Sequence, residues 1–184
     1  MPNIIYLIGY AGTGKYTIAK ELEKSGYVIC DNQLINNPIN ALLNYDGFEP
    51  IPDYAWDTIA KIRNNIFDFI IQEPNNNYVL TNVLYDSEED RMLYEQVSQM
   101  ALKRKSQFFP VKLRVTHEEN LKRITQVSRR ERWKSIDPKD ADPSNPLINI
   151  AHHNLLELDI TNIKPEQAAK IILKHIQFKL SCRP

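Results

Sequence analysis

Nine consecutive residues have the types and spacing of a phosphate site: Gly9-Tyr10-Ala11-Gly12-Thr13-Gly14-Lys15-Tyr16-Thr17. Glycine at 9, 12 and 14 lets the backbone adopt dihedrals closed to other residues and approach a ligand closely, so that successive N–H groups can point inward around an anion. A helix opening at Lys15 would add free N–H groups and the positive end of its dipole, and the Lys15 ammonium would add a full charge. A di- or triphosphate is the natural guest, held by Gly9, Ala11, Gly12, Thr13, Gly14, Lys15, Tyr16 and Thr17.

The context fits that chemistry. The apolar run Ile4-Ile5-Tyr6-Leu7-Ile8 precedes the loop and the helical pattern Ile18-Ala19-Lys20-Glu21-Leu22 follows it. The order is strand, glycine-rich turn, helix, and the Gly9-x4-Gly14-Lys15 spacing is that of the P-loop motif. One position departs from the usual form. Tyr16 stands where Ser or Thr commonly gives a hydroxyl to Mg²⁺, and the hydroxyl comes one residue later, at Thr17, which faces another direction on the first helical turn.

Two further stretches could do chemistry. Tyr27-Val28-Ile29-Cys30 is a short apolar strand that stops on Asp31, placing a carboxylate at the carboxyl end of a buried strand, the edge where open α/β sheets bind ligands. Asp31 can serve there as a base or orienter, or simply cap the turn before Asn32. The second stretch is basic. On a helix continuing from His117, Arg123, Arg130 and Lys134 fall at i, i+7 and i+11, one stripe, with Arg129 and Arg132 alongside. That stripe runs into the polar loop Asp137 to Pro146, a combination suited to closing over phosphates, or to a solvated face partly neutralised by Glu131.

The remaining elements must position these groups. Ser25-Gly26 ends the first helix with a left-handed cap. Asn and Pro interrupt weak helical patches between Leu34 and Pro52, which reads as mostly irregular. Asp53 caps a helix carrying Ile59, Ile62, Ile66 and Phe69 or Ile70, with Arg63 as a solvated charge or a contact to a substrate phosphate. Tyr78 to Asn82 is the third strand. Asp86 or Ser87 starts a helix with Met92, Val97, Met100 and Ala101 inward and Lys103-Arg104-Lys105 complementing its C-terminal dipole. Phe109 to Val115 is the fourth strand, after which Thr116 and Glu119 form a capping box. Leu155 to Ile160 is the fifth, and Pro165 opens a last helix with Ala168, Ile171, Ile172 and Ile176 buried. Adjacent His152 and His153 point apart on a strand and make no metal pair.

The chain has 184 residues and a formal net charge of zero, enough for one well-buried core and no global field for nucleic acid or an acidic membrane surface. Cys30 and Cys182 share no metal or redox spacing and read as ordinary thiols. No apolar run approaches membrane-spanning length and no basic-then-apolar leader opens the sequence, so a cytoplasmic protein is expected. The oligomeric state is not legible.

Five short apolar strands separated by helices imply a parallel sheet covered on both faces. With the loop Gly9 to Thr17, the strand-end Asp31, the Thr81-Asn82 terminus, the arginine-rich stretch and the closing strand and helix Leu155 to Ile176, the chain resembles the P-loop kinases of small metabolites and nucleotides, the shikimate, gluconate and adenylate kinase group. The resemblance covers nearly the whole chain. It implies a three-layer α/β/α P-loop NTPase domain over residues 1–178, strand order 2-3-1-4-5, an Arg-rich lid over about 125–150, and a tail at 179–184. It also implies a phosphotransferase using ATP and Mg²⁺ on a small-molecule acceptor. Lys15 would act on the β- and γ-phosphates, Thr17 on Mg²⁺, Asp31 on the acceptor hydroxyl, and Arg123, Arg129 and Arg130 on the transferred group, with Arg132 and Lys134 as weaker candidates. A nucleotide-binding module without transfer is the alternative. It is favoured by Tyr16 and by strands 3 and 4, which end in Asn82 and Val115-Thr116 rather than in an aspartate.

Overall fold

The first strand, β1 (Asn3–Ile8), divides its side chains between two cores, and that division sets the architecture. The two-residue strand period sends Ile4, Tyr6 and Ile8 to one face and Ile5 and Leu7 to the other, all buried. Its neighbour β3 (Asn77–Asn82) repeats the alternation with Tyr78 and Leu80 against Val79. On the other side β4 (Gln107–Arg114) does so with Phe108 against Phe109, Val111 and Leu113. The edges are β2 (Tyr27–Asp31) and β5 (Leu156–Asp159). Every pairing is parallel and the order is β2-β3-β1-β4-β5. The computed structural model describes residues 1–181.

Both faces are covered, as apolar runs in parallel strands require. On one side lie α1 (Lys15–Glu23) and α6 (Pro165–Ser181); on the other lie α2 (Asn32–Leu42), α3 (Asp53–Gln72) and α4 (Glu88–Lys103). The arrangement is the expected three-layer α/β/α fold with the expected strand order. Because β1 lies between β3 and β4, the chain order reverses beside it. The carboxyl end of β1, where the glycine-rich loop begins, therefore opens on the crevice that such a reversal creates. Among the described residues no helix is long and apolar enough to cross a membrane.

Several local expectations are corrected. The region after Asp31 is helical through Pro38: Asp31 accepts from Leu34 N at 3.0 Å and caps it, and buried Ile35 anchors it to the core, which together outweigh the breaker residues. The helix after β4, α5 (His117–Ile124), is only eight residues long. It passes into a 3-10 turn, Val127–Arg132, that ends on left-handed Trp133 at φ 47°, so the stripe Arg123, Arg130, Lys134 does not form. Thr116 precedes α5 without a side-chain cap bond, and Pro52 rather than Asp53 holds the cap position of α3. Met92, Phe69 and Ile171 are exposed. Helix α6 runs on to Ser181, past the start of the expected tail; Cys182, Arg183 and Pro184 lie outside the described residues.

Two segments are tied down more firmly than their polarity suggests. Arg104, expected to complement the α4 dipole, is a buried staple: its guanidinium donates to the carbonyls of Glu73 (2.7 Å) and Asn76 (2.8 Å) and to Ser106 Oγ (2.7 Å). Residues 125–150, expected as an Arg-rich lid running into a polar loop, bury Ile136, Ala141, Ile148 and Ile150. Their far end pairs with the loop after β3 through Asp86 N to Pro146 O and Ile148 N to Leu84 O.

Candidate active site

The loop after β1 has the backbone its glycines allow. Gly12 and Gly14 lie at φ +84° and +101°, and a Cβ on Gly12 would sit 2.9 Å from Asn120 Oδ1. Thr13 is fully buried and bonds its hydroxyl to Tyr10 O at 2.6 Å, so its side chain serves the turn and only its backbone is left for a ligand. Lys15 turns back over the loop, its Nζ donating to Gly9 O at 2.6 Å and Tyr10 O at 2.8 Å. Helix α1 starts on Gly14 with no side-chain cap, which leaves its first-turn N–H groups to an incoming anion. Thr17 is exposed on that turn and borders the cavity.

The cavity holds about 1150 Å³ and is bordered by both the loop and Asp31. The two sequence readings of Asp31 fall on its two oxygens. Oδ1 caps α2; Oδ2 is buried and makes no hydrogen bond within the protein, with Arg132 Nη2 at 3.6 Å. The end of β2 is held to β3 by Asn32 N donating to Thr81 Oγ1 at 3.2 Å.

The arginines part company. Arg123 is clamped by Glu119 Oε1 at 2.8 Å and reaches Thr13 O at 3.2 Å, bracing the loop from α5. Arg129 borders the cavity and is held there by two bonds to Ser135 O, at 2.9 and 2.7 Å. Arg130 is not brought to the cavity: it is exposed, with its guanidinium 5.7 Å from the Phe48 ring centre. The two weaker candidates are inside. Arg132 lies 3.5 Å and Lys134 Nζ 4.7 Å from the centre of the Tyr16 ring, so the residue that displaced the usual hydroxyl serves as an aromatic seat for two cations.

These cations are short of counter-charge. Burial, together with the charges of Arg129 and Lys134, holds the Lys15 ammonium well below its ordinary value. Burial also lowers Arg129. Lys134 is brought down to about 8 by burial and by Arg132 and Arg129, against the pull of Asp31. A polyanion would relieve all three at once.

One position that the sequence left open is narrowed here, and one feature escaped the sequence reading. Arg63 is no simple solvated charge: it is partly buried at the cavity wall, and its Nε is buried without a hydrogen bond. Helix α2, read as irregular, brings Asn36 and Asn40 to the cavity, both buried. Their four-residue spacing was visible, but it has meaning only once the segment is helical.

No family model and no curated protein matches the sequence. Solved structures match nearly its whole length. A sugar kinase from Janibacter sp. HTCC2649 superposes with a TM-score of 0.61 at 14% identity, over 96% of this chain and 95% of its own. The Mycobacterium tuberculosis APS kinase, solved with AMPPNP and APS, gives 0.57 at 14% over 96% of each chain. A shikimate kinase from Acinetobacter baumannii, solved with shikimate, gives 0.54 at 16% over 97% and 95%. The chain has the P-loop kinase fold. Within that fold the crevice at the carboxyl ends of the strands holds the glycine loop, Lys15 and Asp31 together, at the chain reversal where ligand chemistry is built in open α/β sheets.

Proposed function

We propose that this protein is an ATP-dependent phosphotransferase that moves the γ-phosphoryl group to a hydroxyl of a small molecule. One observation carries the reading: an uncapped helix start with Lys15 over its glycine loop, and the Oδ2 of Asp31 that makes no hydrogen bond within the protein, border one cavity. The kinase names of the solved neighbours, one in complex with AMPPNP and APS, support it. Phosphoryl transfer asks the protein mainly to align the acceptor oxygen and neutralise moving charge.

In this reading the loop amides and Lys15 hold the β- and γ-phosphates. Asp31 Oδ2 orients the acceptor hydroxyl and takes its proton as the new O–P bond forms and the bond from γ-phosphorus to the β–γ bridging oxygen breaks. Arg129, Arg132 and Lys134, carried on residues 125–150 acting as a lid, neutralise the group in flight and exclude water. Arg123 acts through the loop it braces. Among the described residues no three His, Cys, Asp or Glu side chains gather into a metal cluster. Mg²⁺ does not require one, because it keeps waters and phosphate oxygens and takes few protein ligands. The hydroxyl of Thr17 at the cavity fits that limited demand. Bound there, the ion would neutralise phosphate charge.

The capping bond of Asp31 and its approach to Arg132 favour a second reading, a nucleotide-binding module in which Asp31 is structural. Incubation with ATP, Mg²⁺ and a metabolite pool tests the two. A phosphorylated product that disappears in Lys15→Ala supports the kinase; tight ATP binding without product supports the module. Unchanged ATP affinity in Lys15→Ala would count heavily against both.

A further inference from the structure

Helix α2 turns a row of carboxamides toward the cavity. Asn32, Asn36 and Asn40 stand at four-residue intervals, one face of the helix, and Asp31 heads the row as its cap; all four border the cavity. Asn36 is 5% exposed and Asn40 2%. The Oδ1 atoms of both make no hydrogen bond within the protein, nor does Oδ2 of Asp31. Asn40 donates weakly, through Nδ2, to Trp133 O at 3.4 Å. Arg63 of α3 adds a cavity donor whose Nε is equally without a partner.

The core does not need this row. Ile35 and Ile39 of the same helix already supply its apolar contacts, and leucine would fill the volume of asparagine. A polar group buried without a partner is destabilising, and a hydrogen-bonding ligand would remove that cost for these amides. Helix rise separates Asn36 from Asn40 by roughly 6 Å, so the two meet different groups of one molecule. A carboxamide both donates and accepts, and so does a hydroxyl. Several amides in series, beside a carboxylate poised to accept a proton, match a ligand with hydroxyls spread over its surface better than a planar base with a few edge groups.

We propose that the acceptor is a polyhydroxylated small molecule, of the sugar or polyol class, whose hydroxyls are paired by Asn36 and Asn40 while one is presented to Asp31 Oδ2. This rests on the kinase reading above. The row selects the acceptor and leaves nucleotide binding to the glycine loop.

The test uses the full chain with AMPPNP present. Melting temperature is followed with D-ribose, D-glucose, D-sorbitol and myo-inositol at millimolar supply, and with adenosine and cytidine as the nucleoside arm. A rise with at least one polyol and none with the nucleosides is expected. Asn36→Leu and Asn40→Leu should each melt no lower than wild type, keep AMPPNP affinity, and weaken the polyol about tenfold or more; Asn36→Ser serves if a leucine variant fails to fold. A nucleoside response without a polyol response overturns the proposal, as does silence from every polyol while AMPPNP still binds. A leucine variant that melts well below wild type and keeps its polyol response would make the amides structural and overturn it too. Failure of the wild type to bind AMPPNP strikes instead at the kinase reading.

Discussion

Arg132 holds its guanidinium carbon 3.5 Å from the centre of the Tyr16 ring, joining residues 125–150 to the first turn of the helix after the glycine loop. The contact also sets Arg132 Nη2 3.6 Å from Asp31 Oδ2. A partly desolvated cation over an aromatic face is worth about 1–2 kcal/mol. In a double-mutant cycle of Tyr16→Leu and Arg132→Met, followed by urea unfolding, we expect a coupling energy of about 1 kcal/mol. Strictly additive effects would mean that the two side chains are neighbours without an energetic link.

Triphosphate binding should take up protons near pH 8. Lys134 titrates at about 8 and Lys15 well below its ordinary value, both chiefly through burial. Each holds its proton less tightly folded than unfolded, so its penalty on stability is full at low pH. For Lys134 that penalty fades as pH rises from about 8 toward the ordinary lysine value of 10.5. A bound polyanion reverses the shift and draws protons on. Calorimetric heats of ATP binding should therefore vary with the ionisation enthalpy of the buffer, less so in Lys134→Met. Identical heats in every buffer would refute the linkage.

The neighbouring arginines should separate cleanly. Arg129 is fixed at the cavity by Ser135 O, whereas Arg130 lies outside over Phe48. Arg129→Ala is expected to lower turnover by roughly 10- to 100-fold, in the range of losing one charge-stabilising donor. Arg130→Ala should change turnover less than about twofold and stability by under about 0.5 kcal/mol, as at ordinary surface sites. Equal losses in the two variants would contradict this division.

Arg104 should matter for stability alone. Its side chain is 1% exposed and reaches Glu73, Asn76 and Ser106 at once. Arg104→Met leaves two carbonyls without their donor, at a cost of about 3 kcal/mol. Arg104→Lys should recover little, because an ammonium lacks the planar fork that spans these partners. Urea midpoints measure both, and ATP affinity at a temperature where the variants are folded should not move.

The glycine loop was legible because its conformation is local. Gly12 and Gly14 at positive φ and Lys15 folded onto Gly9 and Tyr10 involve nine residues in a row, and the flanking apolar runs announce the strand and helix. The strands were legible for the same reason, since burial on both faces of a parallel sheet leaves an unbroken apolar signature. Helix α2 was hidden by Pro38 and four asparagines; what makes it helical is the Asp31 cap and the seat of Ile35 in a core assembled from distant elements.

By itself, then, the sequence determined the sheet, the loop and the presence of a carboxylate at the end of β2, all consequences of residues adjacent along the chain. Only the tertiary structure decided which cations serve the cavity. Arg130 and Arg132 differ by two positions in one short turn, and a 3-10 turn closing on left-handed Trp133 sends one to Phe48 and the other to Tyr16 and Asp31. The partners that fix those directions lie more than eighty residues away along the chain, so no local pattern of charge could specify them.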